Sequence, residues 1–191
     1  MIAVVILAGG EGSRIGGDKP ARTLGGNTLL DRAVEFARGL SDKIAIAVRD
    51  QQIGDVGVDV VPDEPEVEGP LGGLIAALRF ASDKSADAVL TLPTDMPFLP
   101  PDLADRLEHD LADRSAAIAL SGEHLHPVCG LWHSDVLDAV PDYLASGRRS
   151  LRGLAEAVGY VAVEWPDHPS DPFFNINTPA DLAEAERRLK A

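Results

Sequence analysis

The chain has 191 residues, 45% hydrophobic and 25% charged, with a formal net charge of −14 and one cysteine, Cys129. That length suits one domain able to bury roughly 70% of its unfolded surface, and the acidic balance argues against wrapping nucleic acid. No apolar run approaches the ~20 residues of a membrane span, no basic-then-apolar leader is read before the first strand, and a lone cysteine excludes an internal disulfide and suits a reducing cytoplasm.

Residues 2–7, IAVVIL, form a short unbroken run rich in β-branched residues, as expected of a central parallel strand. A glycine-rich loop follows, in which Gly9, Gly10, Gly12, Gly16 and Gly17 surround Arg14 and lead to Lys19. Glycines let the backbone approach a ligand closely, and successive N–H groups in such a turn make a concave anion site to which a lysine adds full charge. The loop therefore reads as a phosphate or nucleotide site. A Walker loop does not fit, because Asp18 separates Gly17 from Lys19 and Pro20 takes the Ser/Thr place. The dinucleotide fingerprint fails as well, since Ile15 stands where its third glycine belongs.

Asn27 is expected to cap a helix with Leu29, Leu30, Ala33, Val34 and Ala37 at helical spacing. Strands are expected over 43–48 and 58–61, then a Pro/Glu-rich loop and a helix opened by Pro70. Gly72 and Gly73 lie in its first turn, where each costs about 1 kcal/mol relative to Ala. Close approach to a ligand or facing loop explains that cost, and so does tight helix–sheet packing. Another strand is expected over 86–92, a helix over 102–111, and strands over 116–120 and 126–132. Ser134 and Ser150 each suit a helix start, running to Leu144 and Val158, and 160–165 is the last strand. Thr178-Pro179 supplies an N-cap and an N1 proline for the final helix.

Strands alternating with helices predict βαβ crossovers and a mainly parallel, Rossmann-like sheet in a single three-layer α/β/α domain spanning 1–191. Ligands of such sheets bind beyond the carboxyl ends of the strands. The glycine loop, Asp63 and Asp95 follow the first, third and fourth predicted strands, where that rule places a site. Asp95 stands between two prolines just past a strand. A carboxylate there reads as a helix cap, a turn residue or a ligand for magnesium, a hard ion usually held by one or two carboxylates plus substrate phosphates.

Leu7-Ala8-Gly9-Gly10 and Arg14-Ile15-Gly16-Gly17-Asp18-Lys19 resemble the signature of nucleotidyltransferases that activate sugars, alditols and cofactors. Asp95-Met96-Pro97 resembles their metal-binding D-x-P turn. HPVCGLW at 126–132 and FNINTPADL at 174–182 are similar to more specific segments of the molybdenum cofactor guanylyltransferases, so the resemblance spans residues 2–182. It implies a sheet of the nucleotide-diphospho-sugar transferase type, with a nucleotide site in the N-terminal half and an acceptor site in the C-terminal half. The implied reaction joins GMP from GTP to the phosphate of molybdopterin, releasing pyrophosphate, with Mg²⁺ or in its place Mn²⁺.

On that resemblance Leu7, Ala8, Gly9, Gly10, Gly12, Lys19, Asp63 and Asp95 contact GTP, and Asp95 binds the metal. Arg14 and Lys19 offset charge developing on the phosphates, while Asn175 and Asn177 border the pterin side. Arg148 and Arg149, in the acid-free run SGRRSLRG with Arg152, are assigned to the acceptor phosphate or else to a solvated helix end. Ala47 stands where some relatives have a nucleotide-contacting Asn, leaving that contact to Arg49 or to the backbone. His124 and His126 read as strand residues sharing a face rather than a zinc pair, and Cys129 as a buried residue rather than a nucleophile. A CTP:molybdopterin cytidylyltransferase, a transferase for another phosphorylated acceptor, and a carrier subunit without turnover remain as alternatives. The expected setting is a cytoplasmic monomer that passes its product to molybdoenzymes or their chaperones.

Overall fold

The apolar IAVVIL run becomes β1 (Ile2–Leu7), the strand from which the rest of the sheet is built outward. The structure, a computed structural model, describes residues 1–8, 22–49, 56–166 and 171–190. β1 pairs in parallel with β4 (Ile44–Val48) on one side and β6 (Ala88–Pro93) on the other. β5 (Asp59–Pro62) extends the sheet beyond β4. Past β6 lie β8 (His124–His133), β7 (Ala116–Ser121) and β9 (Tyr160–Trp165), giving the order β5-β4-β1-β6-β8-β7-β9. The chain thus winds one way from β1 to β5 and then crosses back to β6, which puts a topological switch point beside β1.

Strand period two sorts the side chains cleanly. Val4, Ile6, Ile44, Ile46, Leu90 and Leu92 face a core closed by α1 (Leu29–Arg38) and α3 (Leu103–Leu111). Ala3, Val5, Ala45, Ala47 and Val89 face the opposite core, closed by α2 (Pro70–Asp83), α4 (Val136–Ala145) and α5 (Leu151–Val158). Three layers result. Alanines on that second face let α2 sit close to the sheet, and Leu71 through Leu78 are all buried. Leu71, Leu74 and Leu78 are each fully enclosed and contribute roughly 1.5–3 kcal/mol apiece, which makes α2 a firm wall for anything built at its N-terminus. No helix among the described residues is long and apolar enough to cross a membrane.

Three local departures from the sequence reading have clear causes. Asn27 does not cap α1: it pairs with Leu24 in a two-stranded hairpin of β2 (Thr23–Leu24) and β3 (Asn27–Thr28). The Gly25-Gly26 turn makes that hairpin possible, with φ of 60° and 93°. Thr28 caps instead, in a reciprocal capping box with Asp31. Ser134 does not cap α4, because its hydroxyl donates to the Asp87 carbonyl and Asp135 takes the cap position. Ser150 does cap α5. Finally, the expected mainly parallel sheet is mixed: β7 and β8, read as successive strands, are joined by a tight Gly122-Glu123 turn, so β8 runs antiparallel to both neighbours in a sheet otherwise parallel among the described residues.

The C-terminal helix α6 (Pro179–Arg188), opened by Thr178 and Asp181 in a second capping box, packs its Ala185 with Ile176, Leu24 and Leu29. Glu186 accepts a hydrogen bond from the Gly25 backbone N–H at 3.0 Å. The C-terminal helix is thereby fastened to the β2–β3 hairpin.

Candidate active site

A cleft of ≈ 470 Å³ opens at the carboxyl ends of the parallel strands, within the range of small-molecule sites. Leu7 and Ala8 form its floor, and the Ala8 N–H extends the β1–β4 ladder by donating to the Ala47 carbonyl at 2.9 Å. The start of α2 enters from one side through Gly69, Pro70 and Gly73. Among the described residues no side chain caps that helix N-terminus, whose N–H groups and positive dipole end favour an anion. Pro93, Thr94 and Asp95 continue from β6, and Asn175 closes the rim opposite.

Asp63 is 7% exposed, and its Oδ1 has no hydrogen-bond partner among the described residues. Its backbone N–H donates to the Val48 carbonyl at 2.8 Å, which fixes it one residue past the end of β5. Burial pushes its carboxyl above the ordinary value, opposed by the positive charge of Arg49. A buried carboxylate oxygen with no partner is costly, and a ligand donor would relieve that cost. Asn175 repeats the pattern: its Oδ1 is buried and unpartnered among the described residues, and it too lines the cleft.

The two glycines of α2 have different causes. A Cβ on Gly72 would stand 2.8 Å from the Val67 carbonyl oxygen and 3.1 Å from that of Glu64, so it is a glycine of loop packing. A Cβ on Gly73 would stand 3.1 Å from Leu7 Cδ2, 3.4 Å from Asp63 Oδ1 and 3.8 Å from Ala47 Cβ, in the cleft itself. Both explanations left open by the sequence therefore apply, one to each residue.

The far wall comes from a break in register. Ile118 pairs with Gly130 whereas Ala119 pairs with His126, so 127–129 arch away from β7, at a proline with no N–H to lose. The arch brings Val128 into the cleft and buries Cys129 completely on the α1/α3 side. Burial, with Asp95 adding to it, pushes the Cys129 thiol far up, which leaves it no nucleophilic character. His126 bonds Ser121 Oγ through Nε2 at 2.9 Å and stacks on Phe173 with ring centres 4.7 Å apart. It is engaged as a prop for the irregular segment that leads to Asn175, and His124 is exposed. The Ile176 N–H donates to the Asp95 carbonyl at 2.8 Å, tying that segment to the D-x-P turn.

Leu7, Ala8, Asp63, Asp95 and Asn175 thus meet in one cleft, together with Arg49. Gly9, Gly10, Gly12, Arg14 and Lys19 lie outside the described residues. Asn177 is exposed beside α6, where its backbone N–H donates to Asp181 Oδ2 at 2.9 Å, and it does not line the cleft. Arg148 and Arg149 sit in the turn between α4 and α5, at the same end of the sheet but outside the cleft lining. Arg148 pairs with Glu156 at 3.3 Å, and Arg149 donates to the carbonyls of Leu144 and Arg148. Glu68, Thr94 and Val128 line the cleft without having been singled out from sequence. The Glu68-Gly69-Pro70 helix start offered a signal, whereas Val128 depends on the arch, which no local pattern marks.

The model of the MobA-like NTP transferase domain matches residues 4–161. The molybdenum cofactor guanylyltransferase of Nitrobacter hamburgensis is 40% identical over 192 residues, covering 96% of this chain and 92% of that one. Its counterpart in Cereibacter sphaeroides is 40% identical over 190 residues, covering 97% and 96%. Among solved structures, molybdopterin-guanine dinucleotide biosynthesis protein A from Archaeoglobus fulgidus superposes with a TM-score of 0.79 at 25% identity, over 100% of this chain and 99% of that one. The chain belongs to the MobA-like NTP transferase family, among the molybdenum cofactor guanylyltransferases.

Proposed function

We propose that this protein transfers GMP from GTP to the terminal phosphate of molybdopterin, forming the guanine dinucleotide of the cofactor and releasing pyrophosphate. The names of its relatives supply the substrates. The observation that supports the reading in this chain is the pair of buried, unpartnered oxygens in one cleft, Asp63 Oδ1 on the nucleotide side and Asn175 Oδ1 on the other. Each awaits a donor, and the cleft between them opens on the N-terminus of α2.

A phosphate oxygen of the acceptor attacks the α-phosphorus in line, a new P–O bond forms as the bond to the β-phosphate oxygen breaks, and pyrophosphate leaves. Such chemistry depends on position and charge more than on covalent help from the protein. Leu7, Ala8, Gly9 and Gly10 would hold the base and ribose, Gly12 would cradle the triphosphate, and Arg14 and Lys19 would offset its charge. Asn175, with Asn177 behind it, borders the pterin, and Arg148 and Arg149 attract its phosphate toward this end of the sheet.

A divalent cation, magnesium or manganese, fits the donor set, because Asp95 presents a hard carboxylate in a cleft whose other available donors are oxygens. Among the described residues no group of three or more His, Cys, Asp or Glu side chains could hold it unaided, and substrate phosphates would supply further oxygen donors. Bound there, the ion would neutralise phosphate charge. We place the reaction in the cytoplasm, where the single buried thiol is in keeping. The test is turnover of molybdopterin with GTP, CTP or ATP, followed by pyrophosphate release and by mass of the product. Guanine dinucleotide is expected. Cytosine dinucleotide would reassign the donor, and tight binding without pyrophosphate would make the protein a carrier.

A further inference from the structure

Among the described residues that line the cleft, Arg49 is the single cation, against the carboxylates of Asp63, Glu68 and Asp95. It is the first residue past β4, two positions after Ala47, which ends in a methyl group that is fully buried under α2. Nothing at position 47 can reach a ligand. Just beyond the strand stands a guanidinium, and the structure fixes it: Arg49 Nη2 donates to the Val67 carbonyl at 2.8 Å. That bond uses one of five N–H donors.

The position of Asp63 relative to Arg49 follows from the sheet. Val48 pairs with Pro62 across β4 and β5, so Arg49 and Asp63 are the first residues beyond two paired strands. The Asp63 N–H bond to the Val48 carbonyl locks that adjacency. A fixed donor fork and an unpartnered acceptor oxygen therefore stand side by side at one end of the cleft.

Guanine carries the complementary set. Its N1–H and N2–H₂ are donors for a carboxylate, while O6 and N7 are acceptors that a guanidinium binds in bidentate fashion. Adenine presents an amine at the O6 position, and cytosine offers an amine with no ring N–H beside it. On the guanylyl-transfer reading, on which this inference rests, we propose that Arg49 is a specificity-determining residue that donates to O6 and N7 of the guanine whose N1–H and N2–H₂ are held by Asp63.

The experiment is calorimetric binding of GTP, CTP, 7-deaza-GTP (no N7 acceptor) and ITP (no N2 amine) to the wild type, Arg49→Ala and Arg49→Lys. Arg49→Ala is expected to weaken GTP by about 10- to 100-fold, the usual worth of a bidentate base contact. The wild type is expected to bind 7-deaza-GTP several-fold more weakly than GTP, and Arg49→Ala is expected to bind the two equally. Its preference for GTP over ITP should persist, because Asp63 is intact. Arg49→Lys keeps the charge and a donor that can still meet O6 and N7, and should recover part of the GTP affinity and of the N7 discrimination lost in Arg49→Ala. A merely structural role for Arg49 would weaken all four nucleotides alike, and an undiminished 7-deaza penalty in Arg49→Ala overturns the assignment. A wild type that binds CTP as well as GTP instead overturns the guanylyl reading itself, and this inference with it.

Discussion

Gly72 and Gly73 are neighbours in the first turn of α2, yet the structure separates what an added methyl group does at each. At Gly72 the new Cβ meets main-chain oxygens at 2.8 and 3.1 Å, atoms of the 62–69 loop that cannot rotate aside. Overpacking against backbone costs about 1–3 kcal/mol, more than the roughly 1 kcal/mol that replacing a helical glycine by alanine returns. At about 2–4 °C per kcal/mol for a chain of this size, Gly72→Ala is expected to lose several degrees of Tm. At Gly73 the tight contact is Leu7 Cδ2 at 3.1 Å, the end of a rotatable side chain, so strain and helix propensity nearly cancel. Its methyl group would, however, lie 3.4 Å from Asp63 Oδ1, where a ligand N–H must come within about 2.7–3.2 Å. Gly73→Ala should melt within a few degrees of the wild type and bind GTP at least tenfold more weakly. Thermal denaturation beside GTP titration separates the two. The reasoning fails if Gly72→Ala is as stable as the wild type, or if Gly73→Ala binds GTP normally.

Asp63→Asn should stabilise the fold at neutral pH. Burial raises the Asp63 pKa above its ordinary 3.8, so the folded state holds the proton more tightly and stability falls as pH rises through the interval above 3.8. The Tm advantage of Asp63→Asn should be present at pH 7 and vanish below about pH 3.8; an advantage independent of pH would contradict it. Asp95→Ala and Lys19→Ala should each reduce kcat by about 10²–10³, the usual cost of removing one preorganised charge-stabilising group, with little change in Tm. Turnover like that of the wild type in either variant would remove its role. His126→Ala should cost about 1–3 kcal/mol by urea denaturation, from one hydrogen bond and one ring stack, and raise the molybdopterin KM more than the GTP KM. His126→Phe, which keeps the stack on Phe173, should recover most of that KM effect, and no recovery would show that the stack does not position Asn175.

The layer architecture was legible because it rests on periodicity over long runs. IAVVIL and the strand at β6 read as buried strands since both their faces are covered, and α2 read as a helix because Leu71, Leu74 and Leu78 recur at its period. The losses came where two-residue turns decide the path. Gly25-Gly26 and Gly122-Glu123 are both hairpin turns of recognisable composition. Each was overshadowed by a longer pattern: the helix beginning at Leu29 in one case, and the expectation of βαβ crossovers in the other.

The site was legible to the extent that its residues follow directly on strands. Asp63 and Asp95 stand one and two residues past β5 and β6, so the rule for open α/β sheets was enough to place them. Asn175 was reached only through resemblance, because its place in the cleft is made by long-range contacts: Ile176 bonded to Asp95 across 81 positions of sequence, and Phe173 stacked on His126. The separation of Asn175 from Asn177 follows from the same contacts. Ile176 is buried against Leu24, Leu29 and Ala185, Asn175 before it lines the cleft, and Asn177 after it is exposed and gives its backbone N–H to Asp181 Oδ2. A motif with two asparagines at alternate positions therefore supplies one residue to the cleft and one to the start of a helix.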